Sequence, residues 1–200
     1  MDDSILIYAS RIFRLPIIDA EGSAVGTVAD VVLLPAVGGQ APQVLGFVAA
    51  INRRRIFVAA ARAGELDASG MRLAGGTVDL RHFSLRMGEL LVGDLLGRRV
   101  AGGVVTDLGL RPVTARARSW EVATIAVVPP GPLGRLRSTR VVGWQDAADL
   151  FDAGPLAGEV AALRQLHPTD VARRLQPLTA ERRRQLVATM DDERLADLLE

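Results

Sequence analysis

The chain has 200 residues, 49% of them hydrophobic and 24% charged, which suits one medium domain or two small ones and excludes wholesale disorder. A net charge of +1 supplies no long-range field to draw in nucleic acid or an anionic membrane. With no cysteine there are no disulfides, no cysteine-held metals and no thiol catalysis, and all 24 basic residues are arginine, the planar fork suited to carboxylates and phosphates.

In chain order, Met1 to Tyr8 begins with two aspartates and carries a short apolar run, unlike the basic start and longer apolar core of a secretory signal. Strand signals follow. Ile17 and Ile18 lead into a turn at Asp19-Ala20-Glu21-Gly22. Val25 to Leu33 then alternates β-branched and small residues, as strands on a curved sheet do. Pro35 and Gly38-Gly39 end that strand. Val44 to Ile51 reads as a third strand, Asn52 to Arg55 as a turn and Arg55 to Ala60 as a fourth strand. Met71 to Leu73 and Thr77 to Leu80 read as short closing strands. Val44 to Ile51 is also the longest apolar stretch, far below the roughly 20 residues of a membrane-spanning helix. A cytoplasmic chain without membrane insertion is expected.

The strand region repeats. Gly26-x-Val28-x-Asp30-Val31-x-Leu33-x-Pro35 recurs 77 residues later as Gly103-x-Val105-x-Asp107-Leu108-x-Leu110-x-Pro112. Val44 and Phe47 match Val122 and Ile125 at a spacing of 78, and Phe57 to Ala60 matches Val141 to Trp144 at 84. The growing offset places extra residues in one loop of the second copy, around Pro129 to Gly134. At its start the second copy has only Arg98 to Gly102 where the first has Ile17 to Ala24, so its first hairpin is expected to be short. Two copies of one strand order predict two like barrels rather than one larger sheet.

After Phe151 the period becomes helical. Leu156, Val160, Leu163 and Leu166 share one helical face. His167-Pro168 restarts the chain for a helix bearing Val171 and Leu175. Thr179 can cap a helix carrying Leu186, Val187 and Met190, and Asp191 and Asp192 begin a last one with Leu195, Leu198 and Leu199. Val171-Ala172-x-x-Leu175 recurs as Leu195-Ala196-x-x-Leu199, the mark of a helical-hairpin repeat. Such arrays need about three repeats, so a longer parent chain is expected.

Candidate chemistry is sparse. Asp19, Glu21, Asp67, Asp149 and Asp191 fall in turns and helix starts, where structural roles are expected. Asp30 and Asp107 occupy matched strand-end positions and are expected to accept backbone N–H groups. His82 and His167 lie 85 residues apart with no further zinc ligands, and no nucleophile elbow or phosphate loop is present. Arg53, Arg54 and Arg55, with Arg135, Arg137 and Arg140, form two basic clusters at equivalent hairpins. They are either solvated turn charges or a basic face for a protein partner. RNA is the alternative, disfavoured because nucleic-acid modules add exposed aromatics and this chain is only 4% aromatic. Asp170, Asp191, Asp192 and Glu193 are the candidate magnesium ligands, hard oxygen donors that helix-start electrostatics equally explain.

The turn, the Val-Gly-x-Val-x-Asp-Val pattern and the strand ending in Phe57-Val58 resemble the PRC-barrel family, which includes the cytoplasmic domain of the photosynthetic reaction-centre H subunit and a ribosome-maturation factor. Leu166-His167-Pro168-Thr169-Asp170-Val171-Ala172 and the helices after it resemble the intracellular N-terminal domain of MgtE magnesium transporters. Two barrels followed by this helical domain are similar to soluble bacterial proteins that continue into CBS domains. The resemblance implies binding and regulation in a magnesium context, with weak magnesium binding at most and no firm cofactor. The reading is therefore an α+β, mainly β chain: PRC-like barrels over residues 1–88 and 89–152, then a helical segment over 155–200. Its expected function is that of a non-catalytic regulatory or scaffold module with a protein partner.

Overall fold

The computed structural model describes residues 6–67, 69–74, 82–113, 119–129, 138–152, 154–164 and 166–187. Within them the chain is mainly β, a curled half-barrel sheet followed by short helices. The first half runs through β1 (Ile7–Tyr8), the one-turn helix α1 (Ala9–Ile12), β2 (Pro16–Ile18), β3 (Ala24–Leu34), β4 (Gln43–Ile51) and β5 (Arg54–Ala59). A 3-10 turn (Ala60–Arg62), β6 (Ala63–Asp67) and β7 (Gly70–Leu73) complete it. The second half runs through β8 (Leu90–Leu91), the one-turn helix α2 (Val92–Leu95), β9 (Arg99–Val100), β10 (Gly103–Pro112), β11 (Trp120–Val128) and β12 (Arg140–Gly143). A 3-10 segment (Trp144–Phe151) leads to α3 (Pro155–Arg164), α4 (Pro168–Leu175) and α5 (Ala180–Val187). No helix among the described residues is long and apolar enough to cross a membrane.

The repeat seen in the sequence reappears in strand register. Val31 stands opposite Phe47 in the β3–β4 pair, and Leu108 stands opposite Ile125 in the β10–β11 pair. Both ladders slip at the same two places: before Asp30 and Asp107, and again between Val32 and Leu33 and between Gly109 and Leu110. Such bulges bend a strand and increase its twist, which is how two long strands in each half come to curl. β5 lies on β4 with Val58 opposite Phe47, and β12 lies on β11 with Val142 opposite Ile125. Gly26 and Gly103 mark a matched close approach in each half, because a Cβ there would strike the carbonyl oxygen of Ala50 or of Val128. The first hairpin is short in the second half, as expected: β9 returns to β10 through residues 101–102, whereas β2 returns to β3 through residues 19–23.

How the halves join could not be read from the repeat alone. Gln43 on β4 bridges Glu121 on β11, and these are repeat-equivalent positions, so a pseudo-twofold axis passes between them. About that axis the halves exchange their leading strands. β1 pairs with β10, Ile7 opposite Leu110, while β8 pairs with β3, Leu90 opposite Leu33. The helical turns follow their strands across, carrying the fully buried Ala9 and Ile12 one way and Val92 and Leu95 the other. One apolar cluster therefore runs through both halves. The described strands form a single sheet, with the central order β1-β10-β11-β4-β3-β2-β7-β6.

Several boundaries differ from the sequence expectation. The turn after β4 is only Asn52 and Arg53, both at positive φ (48° and 64°), so Arg54 and Arg55 already belong to β5. Two central residues with positive φ make a type I′ turn, whose twist matches that of the strands it joins. β6 was not anticipated, since Ala63-Gly64-Glu65-Leu66-Asp67 carries one large apolar side chain. Met71 to Leu73 is a strand as expected, while residues 77–80 lie outside the described residues. Of the expected helical faces, Val160, Leu163, Val171, Leu175 and Leu186 form a second buried cluster, with Leu166 and Val187 against it, while the Leu156 side chain lies outside what is described. Met190 and the second copy of the helical repeat lie outside the described residues.

Candidate functional site

Asp30 and Asp107 stand not at strand ends but in mid-strand, at the bulges. A bulge leaves a backbone N–H without a ladder partner, and each aspartate satisfies the one that follows it. Val31 N–H donates to Asp30 Oδ1 at 2.8 Å, and Leu108 N–H donates to Asp107 Oδ1 at 2.9 Å. The same oxygens also reach across the axis. Gly93 N–H in α2 donates to Asp30 Oδ1 at 2.9 Å, and Ser10 N–H in α1 donates to Asp107 Oδ1 at 3.1 Å. The matched aspartates thus accept backbone N–H groups, as expected, and in doing so clamp the exchanged turns. Burial pushes the Asp30 carboxyl above its ordinary value, with the negative Asp94 adding to the rise. The Gly93 and Val31 N–H groups and the Arg55 cation pull the other way without cancelling it. Gly93 is needed beside Asp30, because a Cβ there would meet Asp30 Oδ2 at 2.6 Å.

The first arginine cluster is intact at the tip of the β4–β5 hairpin. Arg53, Arg54 and Arg55 are all exposed, and Arg53 holds a left-handed conformation in which glycine is preferred. Arg54 pairs with Ile51 and Arg55 with Ala50, so alternation sends their side chains to opposite faces of the ribbon. Of the second cluster, Arg140 alone lies among the described residues. Arg140 stands opposite Val127 in β12, the register of the buried Ile56, and its guanidinium lies over Gly102. Ser138 and Thr139 occupy the places of Arg54 and Arg55, while Arg135 and Arg137 lie outside the described residues. The two sets thus match only at the level of the hairpin, because the longer second loop shifts the register.

Asp170 is exposed in the first turn of α4 and forms an ion pair with Arg173, Nη1 to Oδ1 3.1 Å. Asp191, Asp192 and Glu193 lie outside the described residues. One carboxylate already shared with a guanidinium does not meet the oxygen-rich octahedral demand of magnesium, so the described residues do not fit that ion. His167 precedes α4 with its side chain exposed and uncommitted to capping, although its carbonyl accepts the Asp170 and Val171 N–H groups. Two of the turn acids, Asp19 and Asp67, behave as structural groups. Asp19 accepts from Ser23 N–H, and Asp67 accepts from the Ser69 hydroxyl and N–H, which hold its carboxyl below the ordinary range.

Two open grooves went unseen in the sequence. One, of about 440 Å³, runs between β9 and the 3-10 segment, with Arg98 and Arg99 on one wall and Asp146 and Asp149 on the other. The second, of about 480 Å³, lies between the β3–β4 loop at Val37 and Gly38 and the helices, with Leu163, Leu166 and Leu178 among its walls. Neither has a sequence signature, since each is made by residues far apart in the chain. Comparison with known protein families finds no matching family, and comparison with curated proteins finds no match.

Proposed function

We propose that this chain is a non-catalytic interaction module: two PRC-like half-units fused about a pseudo-twofold axis, presenting an arginine hairpin to a protein partner. The observation that carries the reading is Arg53. Its backbone sits at φ 64° in the type I′ turn, a conformation that costs a non-glycine residue about 1–2 kcal/mol and that glycine would adopt more readily. Unusual backbone conformations tend to gather where function holds them. Three exposed cations on a two-stranded ribbon form a compact basic prong suited to an acidic surface. The resemblance to PRC barrels and to the MgtE N-terminal domain supports a regulatory or scaffold role near magnesium transport.

The test is to replace Arg53 and Arg54 with Ser, keeping Arg55 because its charge acts on Asp30. Exposed charges shift stability by about half a kcal/mol at most, so the fold should be unchanged. Capture of an acidic partner from native cytoplasm should nevertheless fall. Unaltered capture returns the hairpin to the role of a solvated turn, and a steep salt dependence of RNA binding lost in the same variant points to nucleic acid instead.

A further inference from the structure

A sheet edge that is covered in the first half is open in the second. β5 pairs with β4 on one side. On its other side Ile56 bridges His82 in the antiparallel sense, and Phe83 N–H donates to the Arg55 carbonyl at 2.7 Å. The Phe83 ring stacks on Phe57, centroids 6.4 Å apart. The counterpart of β5 is β12. Arg140 opposite Val127 and Val141 opposite Ala126 repeat Ile56 opposite Ala49 and Phe57 opposite Val48, so Thr139 holds the place of Arg55. Thr106 Oγ1 donates to the Ala126 carbonyl at 3.2 Å, so the backbone groups of Ala126 face β10. In an antiparallel pair both residues turn their backbone groups towards each other or both turn them away, so Val141 N–H and C=O point out from β11. Thr139, two residues earlier, points its carbonyl the same way. Among the described residues no backbone group pairs with that edge, and the elements packed closely on β12 are β11 and the 3-10 segment that continues from its end. Val141, in the place of Phe57, is 49% exposed.

We propose that the open edge of β12 takes an extended peptide from a partner protein, acidic then aromatic, added antiparallel where His82 and Phe83 lie beside β5. The inference rests on the interaction-module reading and adds a second contact surface, distinct from the Arg53 hairpin. Strand addition supplies affinity through main-chain hydrogen bonds and specificity through alternate side chains. The occupied half sets the order of those side chains. A residue in the place of Phe83 donates its N–H to the Thr139 carbonyl and lays an aromatic ring on the exposed Val141. The residue before it, in the place of His82, stands opposite Arg140, which is exposed and paired with no carboxylate among the described residues. A cation there, where the first half has the buried Ile56, selects aspartate or glutamate. A second copy of the chain is the poorer occupant, because its β12 would bring another Arg140 to the edge instead of an acid.

The probe is a fluorescently labelled synthetic peptide of residues 78–85 of this chain carrying His82→Glu, which places an acid directly before Phe83. Titration with the whole protein should show saturable binding and protect the Val141 amide from hydrogen exchange. The same peptide methylated on the Phe83 nitrogen cannot donate to Thr139 and should not bind. Val141→Phe recreates the ring of Phe57 and should tighten binding about fivefold. Arg140→Glu should weaken it about tenfold, and a peptide carrying His82→Arg should recover the loss. Both positions are exposed, so the variants should fold. Absence of binding, or binding indifferent to the methyl group and to both variants, overturns the proposal. Self-association of the chain that Val141→Asp abolishes overturns it too, since the edge would then belong to a second copy. Protein carrying Arg53→Ser and Arg54→Ser should bind the peptide as the parent does, so a failure at this edge is distinguishable from a failure of the hairpin reading.

Discussion

Replacing Asp30 or Asp107 with alanine tests whether the aspartate clamps hold the exchanged turns. Asp30→Ala leaves the N–H of the fully buried Val31 without an acceptor, which costs about 1–3 kcal/mol. The bond from Gly93 is worth less, about 0.5–1.5 kcal/mol, because that residue is exposed and water can replace the carboxylate. Relief of the carboxylate's own desolvation offsets part of the loss, so the expected net cost is about 2 kcal/mol. Asp107→Ala should cost a similar amount, since Leu108 is buried and Ser10 exposed in the same way. Asp30→Asn isolates the charge. The folded-state carboxyl titrates above the ordinary value of 3.8, so the unfolded chain releases its proton first as pH rises. The native state then binds more protons, and the stability this group contributes is full below 3.8 and is lost as pH rises through the folded value. Against Asp30→Asn, which has no such titration, the unchanged protein should lose ground between acid and neutral pH. Urea unfolding at a series of pH values reads both effects. Alanine variants within half a kcal/mol of the parent, or a gap to Asp30→Asn that is flat or widens the other way, would refute the reasoning.

Two further substitutions probe the backbone. Gly97 has φ 82° and open space around a Cβ, so Gly97→Ala carries only the left-handed penalty and should lower stability by about 1 kcal/mol in urea titration. Arg53→Gly relieves the same strain at the hairpin tip and should raise stability by about 0.5 kcal/mol once the greater unfolded-state entropy of glycine is counted, while weakening partner capture. A stability loss in that variant would show that Arg53 is held by contacts other than the turn.

The legible part of the fold was its repetition. The offsets of 77, 78 and 84 residues follow the long ladders, because alternation and glycine spacing are written into consecutive residues. Matched Asp30 and Asp107 were visible for the same reason, but their bulges were not, since an extra residue in a ladder shows only against the partner strand. The exchange of β1 and β8 was hidden because two-residue strands have no period of their own, and nothing local says which half they join. Arg140 lies on the equivalent hairpin, in the register of Ile56, a detail that only the strand pairing shows.

The exchange itself leads to the strongest expectation about assembly. A first half on its own, residues 1–88, keeps β1 and α1 but loses the β10 edge on which they lie. It equally loses β8 and α2, which cover the Val32–Leu33 edge of β3. Ala9 and Ile12 would be exposed, and burying an isoleucine is worth about 1.5–3 kcal/mol, a large share of the stability of a domain this small. A second copy of the same half can restore both edges, because β3 is the repeat equivalent of β10 and can receive β1 of its neighbour. Such a pairing is isologous and closes after two copies, with Gln43 meeting Gln43 where the intact chain sets Gln43 against Glu121. Residues 1–88 should therefore sediment as a dimer at micromolar concentration, and Ile12→Ala should shift them towards an unfolded monomer. A well-folded monomer with native β-type circular dichroism would mean that the leading strand can fold back onto its own half, and the exchange would then be a consequence of linkage rather than of pairing.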